Sequence, residues 1–177
     1  MIKRILNSLK GKARKPAQFF AAASVALTLG ACHTIDDNRV PYAPVNLSFN
    51  TMADWNVYGI SGALDYRSFI RDKRLPANYP YTASAYTGFG GVLLVGDVLG
   101  EPVAYDLACP VECKKDVRVV IDTEDMLARC PQCGSSYNVF SLRGHPVSGP
   151  AAQNGYGLRT YHVTVRTAGT PYALITY

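Results

Sequence analysis

The sequence predicts an all-β protein, either a sandwich or a barrel. Short segments alternate between apolar and polar residues, turns recur at frequent intervals, and helical periodicity is almost absent. Val45, Leu47 and Phe49 show the pattern most clearly, because polar residues separate them and give the period of two of a half-buried strand. There is no internal repeat and no long amphipathic helix. These features favour short antiparallel strands around one core.

Strands are expected along most of the chain from Pro44 onward. A short helix or helical turn is predicted at 65–74, where Pro76 would end it. The other expected apolar segments and strands, in chain order, lie at 45–49, 55–60, 90–96, 102–107, 117–121, 137–140, 158–166 and 171–177. Turns are expected at 97–101, 122–125, 143–144, 149–151 and 167–170.

The first residues predict an export signal. Six basic residues precede an apolar run at 19–31, which is too short to span a bilayer as a stable helix and is typical of a secretory signal. The run ends in LGAC at 29–32, which resembles the lipobox of bacterial lipoproteins. The resemblance implies that residues 1–31 are removed and that Cys32 becomes the lipidated first residue, with the membrane as its partner. An ordinary cleavage site beside a free cysteine is the alternative.

Removing residues 1–31 changes the charge argument. The whole chain has 18 basic and 13 acidic residues and a net charge of +5. Six of the basic residues and none of the acidic ones belong to the signal, so the remaining 146 residues have a net charge of −1. The basic character therefore gives no reason to expect a nucleic acid partner. The remaining length suits one domain, predicted at 44–177.

Residues 32–43 are polar, and we expect a flexible tether between the lipid and the domain. Asp36 and Asp37 resemble the acidic signals that direct Bacteroidetes lipoproteins to the cell surface. The resemblance implies a lipid-anchored location in the cell envelope, at the outer membrane or the cell surface. A solvated linker explains the two aspartates equally well.

Four of the five cysteines lie in two Cys-Pro loops. The first loop has Cys109 and Cys113, and the second has Cys130 and Cys133. Thiolates bind soft or borderline metals, and the spacing of the two pairs is close to that of a four-cysteine zinc site. An extracytoplasmic location also permits disulfides. The pattern thus indicates a metal centre or paired disulfides.

From 91 to 165 the chain resembles the Rieske family. An apolar hairpin leads into the first Cys-Pro loop, and the second loop continues as Gly134-Ser-Ser-Tyr137. The sequence GPA at 149–151 is similar to the family's proline loop. The resemblance implies small antiparallel sheets with the metal loops at the tip of a subdomain, here at about 105–151.

The ligand positions depart from the family pattern. A Rieske site takes one cysteine and one histidine from each loop. Cys109 and Cys130 match the family's cysteines, whereas Val111 and Cys133 occupy its histidine positions. Many members have a disulfide between the loops, where this chain has Cys113, one residue early, and Gln132. The three histidines lie elsewhere in the chain; they are His33, His145 and His162.

The resemblance then implies a 2Fe–2S cluster held by four thiolates, with a reduction potential of about −400 mV, which is below the potentials of Rieske clusters. Export argues against a cluster, because the signal lacks the twin-arginine pair that exported iron–sulfur proteins usually carry. Zinc is acquired readily outside the cytoplasm, and four thiolates would add on the order of 10–16 kcal/mol to folding. Zinc and iron–sulfur stay open, with two disulfides as a further alternative.

Two functions follow from these alternatives. In the first, a lipid-anchored Rieske-like domain carries a four-cysteine metal centre and, if it is redox-active, relays electrons to a partner protein. No side chain near the loops looks like a substrate-activating base, so we expect no enzymatic reaction. In the second, the domain is a structural or binding module without redox chemistry. Its tyrosine-rich segment at 79–86 favours this interpretation.

Overall fold

The computed structural model of the protein describes residues 34–177. The expected signal at 1–31, the proposed lipid attachment site Cys32 and His33 lie outside these residues. Within 34–177, no helix has the length and apolarity needed to cross a bilayer.

The described chain is mostly β-structure, as the sequence predicts. Its strands are β1 (Val45–Phe49), β2 (Tyr66–Phe69), β3 (Tyr86–Thr87), β4 (Val92–Gly96), β5 (Pro102–Asp106), β6 (Val120–Asp122), β7 (Leu127–Arg129), β8 (Ser136–Asn138), β9 (His145–Ser148), β10 (Thr160–Val165) and β11 (Ala173–Thr176). Its helices are α1 (Met52–Tyr58), α2 (Gly149–Asn154) and a 3-10 helix at Arg71–Lys73.

Seven strands form a large antiparallel sheet in the order β2-β4-β5-β10-β11-β1-β3. Strand β4 lies inside this sheet, between β2 and β5, and is buried along its whole length, as expected of an apolar run between glycines. Strand β1 shows the predicted alternation, since Val45, Leu47 and Phe49 are buried and the residues between them are half-buried. The sequence pattern therefore predicted which residues of both strands are buried.

The remaining four strands form a small antiparallel sheet in the order β6-β7-β8-β9. It is inserted between β5 and β10, which pair with each other in the large sheet. The two cysteine loops are the β5–β6 and β7–β8 connections, so the small sheet carries the second loop and begins directly after the first. The predicted metal-loop subdomain at about 105–151 stays a prediction, and the small sheet lies within that range.

The described residues form two hydrophobic cores, one beside the large sheet and one that the two sheets share, and strand β4 contributes to both. The core beside the large sheet is rich in aromatic rings, with Phe49, Phe69 and Tyr79 in edge-to-face contact. The shared core, which lies beside the small sheet, contains Tyr105 and Tyr137 together with buried cysteines. In the tyrosine-rich segment, Tyr79 is only 8% exposed whereas Tyr86 is 46% exposed. Tyr79, Tyr81 and Ala85 of that segment contact the core, and its other residues are exposed.

Two segments differ from the sequence expectation. The apolar segment at 55–60 lies mostly in α1, where Thr51 and Asp54 form a reciprocal capping box with hydrogen bonds of 2.9 and 3.0 Å. The predicted helix at 65–74 is instead strand β2 followed by the 3-10 helix. Pairing with β4 along the whole of β2 stabilises the extended conformation there, which local propensity alone did not indicate.

Residues 34–43, expected to be a flexible tether, contact the domain in this structure. Asp36 forms a parallel bridge with Tyr156, and Val40 is fully buried. Arg159 is 6% exposed and donates hydrogen bonds to the carbonyl oxygens of Asn38 and Val40 and to Tyr177 Oη. A buried guanidinium needs such acceptors, because an unpaired buried charge is costly. The segment supplies them and is thereby held in place.

The carboxylate of Asp106, at the end of β5, is fully buried and joins three parts of the chain. It accepts hydrogen bonds from the backbone N–H groups of Phe89, Gly90 and Ala108 and from the hydroxyl of Tyr161. Burial raises the pKa of Asp106, and these hydrogen bonds act in the opposite direction. The carboxylate thus holds the loop at 88–91, here called the glycine loop, against β10 and the start of the first cysteine loop.

Replacing Asp106 by Asn should lower the free energy of unfolding by about 2–4 kcal/mol, because one carboxylate oxygen becomes an N–H donor that faces other donors. Tyr161→Phe is the control, since it removes one donor and leaves the backbone contacts intact. We expect it to cost about 1 kcal/mol. Urea unfolding measures both variants. Equal losses in the two would show that the backbone contacts of Asp106 contribute little.

Candidate metal centre

The first cysteine loop begins three residues after Asp106. The N–H of Ala108 is bonded to the Asp106 carboxylate at 2.7 Å, which fixes the chain just before Cys109. The N–H of Cys109 donates to Val117 O at 2.9 Å, and the N–H of Cys113 donates to Cys109 O at 2.9 Å. These bonds close the loop at its base and in its middle. The position of Cys109 is therefore set by the backbone.

The second cysteine loop is a tight turn between β7 and β8. The N–H of Cys130 donates to Ser135 O at 2.8 Å, and the N–H of Gly134 donates to Cys130 O at 3.0 Å. Gly134 has a φ of +70°, a conformation that a glycine adopts without strain. The first turn of α2 packs on the loop, since Ala151 N–H donates to Ser135 Oγ at 3.0 Å. The segment at 149–151, predicted as a turn, is the start of this helix.

Three of the predicted ligands come together. The Sγ atoms of Cys109, Cys130 and Cys133 all lie within 4.8 Å of one another, and those of Cys109 and Cys133 are 3.6 Å apart. Cys109 and Cys130 are buried and Cys133 is half-buried, so this three-sulfur cluster lies at the edge of the core beside the small sheet. Three converging thiols form a donor set for a soft or borderline metal ion.

Cys113, the fourth predicted ligand, is not part of the three-sulfur cluster. Its Sγ is 3.1 Å from Pro110 O and 3.4 Å from Arg39 O, and its backbone has a φ of +50°. Its place in the first loop is next to the N-terminal segment that Arg159 holds. All four cysteines are free thiols in this structure, so the described residues contain no disulfide. A role for Cys113 as a metal ligand stays a prediction.

Two side chains that the sequence analysis did not single out contact the sulfur atoms. Tyr137 Oη is 3.5 Å from Cys109 Sγ, and Ser135 Oγ is 3.2 Å from Cys133 Sγ. Their spacing was an available signal, because residues two apart at the start of a strand point to the same face. Hydrogen bonds of this kind orient metal ligands and adjust their basicity.

The thiols differ in acidity. Burial raises the pKa of Cys130 to about 12, and the neighbouring sulfur of Cys109 adds to the rise. Burial also acts to raise the pKa of Cys133, but the hydroxyl and backbone of Ser135, together with the sulfurs of Cys109 and Cys130, lower that pKa below its ordinary value. Burial and the contact with Cys109 raise the pKa of Tyr137, which therefore remains a neutral donor. Cys133 is the more acidic of the two thiols in the second loop.

Polar contacts also connect the loops. Gln132 Nε2 donates to Glu112 Oε2 at 2.7 Å, and Lys114 Nζ lies 3.7 Å from the same carboxylate oxygen. A side-chain hydrogen bond therefore joins the two loops at Gln132. Val111 is half-buried and packs against the core that the two sheets share.

The histidines do not join the site. His145 lies on β9 and His162 on β10, both are exposed, and within residues 34–177 neither belongs to a group of metal-ligating side chains. The donor set of a histidine-ligated Rieske cluster is therefore not present in the described chain.

In comparisons with known proteins, no family model matches the chain and no curated protein matches it significantly.

The difference in thiol acidity predicts an order of alkylation in reduced, metal-free protein. At pH 7.5, iodoacetamide should modify Cys133 more than about a hundredfold faster than Cys130, because the thiolate is the reactive form and Cys130 is both buried and protonated. Peptide mapping by mass spectrometry measures each residue separately. Alkylation in urea is the control and should remove the difference. Similar rates in the folded protein would contradict the arrangement described.

Proposed function

We propose that the protein is a membrane-anchored extracytoplasmic lipoprotein whose Rieske-like domain binds one zinc ion through cysteine thiolates. The observation that carries the metal site is the three-sulfur cluster of Cys109, Cys130 and Cys133. Zinc prefers thiolate ligands in closed tetrahedral sites and can be acquired after export.

The distances between sulfur atoms favour a single ion. In a tetrahedral site with zinc–sulfur bonds of about 2.3 Å, two ligand sulfurs are about 3.8 Å apart. The Cys109 and Cys133 sulfurs are 3.6 Å apart, close to that value. In a two-iron cluster arranged as in Rieske proteins, Cys109 and Cys133 would bind different irons, and their sulfurs would lie farther apart. The observed spacing therefore supports the zinc proposal.

The ion would have a structural role. Cys109 follows β5 of the large sheet, while Cys130 and Cys133 lie in the loop between β7 and β8 of the small sheet. A metal held by all three would join the two loops and restrict the small sheet, whose strands have only three or four residues each. Bound zinc in structural sites of this class contributes on the order of 10 kcal/mol to folding. The proposal includes no catalytic step.

An iron–sulfur centre is the second candidate, and the contacts of Tyr137 and Ser135 favour it. In this structure the Cys133 thiol donates to Ser135 Oγ, and Tyr137 Oη contacts Cys109 Sγ. Once the sulfurs are ligated as thiolates, these hydroxyls would be the donors, and such hydrogen bonds raise the reduction potential of a cluster. A zinc site gains less from them. If iron is bound, the centre would supply one-electron transfer to a redox partner. The two-disulfide alternative has less support, because the 3.6 Å between the Cys109 and Cys133 sulfurs exceeds the S–S bond of about 2.05 Å.

Metal analysis tests these candidates. Protein purified without oxygen should be colourless and contain about one equivalent of zinc. A red-brown, reducible sample with about two equivalents of iron would refute the zinc proposal and support the second candidate. Absence of both metals would refute both.

Single Cys→Ser variants identify the ligands. Cys109→Ser, Cys130→Ser and Cys133→Ser should each abolish stoichiometric zinc binding, because each removes one sulfur of the cluster. Cys113→Ser should weaken zinc binding without abolishing it, since the cluster keeps its three thiols. Competition with a chromogenic chelator measures each affinity. Complete loss in Cys113→Ser would show that four thiolates are obligatory, and retention in any of the other three would contradict the proposed site.

The lipid anchor is tested separately. We expect Cys32→Ser to prevent lipid attachment and to leave unprocessed or mislocalised protein, while the domain still folds and binds its metal. Cell fractionation and intact-mass analysis measure these outcomes, and Cys113→Ser serves as a matched cysteine control. If Cys32→Ser were processed normally and fractionated with membranes like the parent, the lipoprotein proposal would be wrong.

A further inference from the structure

A pocket of about 210 Å³ lies on the side of the first cysteine loop that faces the glycine loop. Three basic side chains and one acidic side chain line it: Arg71, Lys115, Arg118 and Asp72. Arg71 and Asp72 belong to the 3-10 helix, whereas Lys115 and Arg118 follow Cys113 in the chain. Segments distant in sequence thus bring three cations together and leave the lining with a net charge of +2.

The two arginines are fixed without being neutralised. Arg71 Nη1 donates to Ala85 O at 2.7 Å, and Arg118 Nε donates to Gly90 O. Within residues 34–177, neither guanidinium has a carboxylate at ion-pair distance. Both side chains are half-buried, so these bonds hold each guanidinium in one orientation while its other N–H groups lack an ionic partner.

Asp72 shows the effect of the surrounding charge. Its carboxylate is exposed and lies 3.0 Å from Lys115 Nζ. The hydrogen bond and charge of Lys115 lower the pKa of Asp72, and the charges of Arg118 and Arg71 lower it further. An anion near these three residues is therefore stabilised. Asp72 is thus the residue of the lining that a bound anion would compete with for Lys115.

The wall of the pocket is rigid. It includes the glycine loop, whose Phe89 and Gly90 N–H groups are bonded to the buried Asp106 carboxylate. A Cβ atom at Gly90 would lie 2.5 Å from Ala108 N, so the loop packs directly on the chain before Cys109. Because those N–H groups are already bonded, a ligand would be held by the side-chain cations. A fixed wall lowers the entropic cost of binding.

We infer that this pocket is a binding site for a small oxyanion, a free phosphate monoester or inorganic phosphate, held by Arg71, Lys115 and Arg118. A guanidinium group can donate two parallel N–H hydrogen bonds to a phosphate group. The net charge of +2 on the pocket lining also matches the charge of a phosphate dianion. The volume is below the range of about 300–1,000 Å³ typical of drug-sized ligands, so the pocket suits a compact group. The inference is independent of which metal the cysteines bind.

Titration of the protein as purified with inorganic phosphate and glycerol phosphate, at constant ionic strength, tests the site. Backbone amide resonances of residues 88–91 should shift and saturate. Arg71→Gln and Arg118→Gln should each lower the affinity by about tenfold, since each removes charge-assisted hydrogen bonds. Lys115→Gln changes an exposed side chain and should lower the affinity without affecting folding.

Asp72→Asn is the decisive variant. It removes the only carboxylate of the lining and a competitor for Lys115, so the affinity for phosphate should rise several-fold. Arg166→Gln changes an exposed arginine of the segment after β10 and should have no effect. The inference fails if no amide at 88–91 shifts, if Asp72→Asn leaves the affinity unchanged or lower, or if Arg166→Gln weakens binding as much as Arg71→Gln. Binding seen only with phosphatidylglycerol vesicles, and not with free phosphates, would also overturn it.

Discussion

The buried carboxylate of Asp106 satisfies donors from three separate segments at once. Phe89 and Gly90 precede β4, Ala108 precedes the first cysteine, and Tyr161 lies on β10. Among residues 34–177 no basic side chain pairs with Asp106, so dipoles of N–H and O–H groups stabilise its negative charge. The large sheet, the glycine loop and the first cysteine loop therefore share one acceptor. The positions of both the sulfur cluster and the basic pocket depend on it.

The cysteine loops show how backbone structure brings three thiols together. Cys109 and Cys130 each donate a backbone N–H to a residue farther along the loop, and Gly134 permits the turn that brings Cys133 back toward Cys109. The side chains then differ in acidity through local contacts, with Ser135 favouring the thiolate of Cys133 and burial favouring the thiol of Cys130. Metal binding would require loss of the Cys130 proton, which ties affinity to pH.

The sequence predicted those parts of the molecule whose pattern is local. The alternation in β1, the apolar run of β4 and the cysteine pairs were all recognisable. Packing between distant segments was not. The 55–60 segment has apolar residues that suit a strand, but the capping box at Thr51 starts a helix. The polar segment around Asp36 looked like a linker because its partners, Gly155 and Arg159, are more than a hundred residues away. The position of Cys113 outside the three-sulfur cluster was likewise not recognisable from local sequence, because its thiol donates to Arg39 O, 74 residues away in the chain.

The insertion of the small sheet between two paired strands has a consequence for cooperativity. Tyr105 and Thr160 are directly opposite each other, so the large sheet holds the entry and exit of the inserted segment close together whether or not that segment is folded. Because the large sheet already holds these two ends together, folding of the inserted segment costs little additional loop-closure entropy. Local opening of the small sheet would therefore leave the strand pairing of the large sheet intact, while it exposed the side chains that the two sheets share, such as Tyr105. Such opening would be visible as faster hydrogen exchange at β6–β9 than in the paired strands of the large sheet.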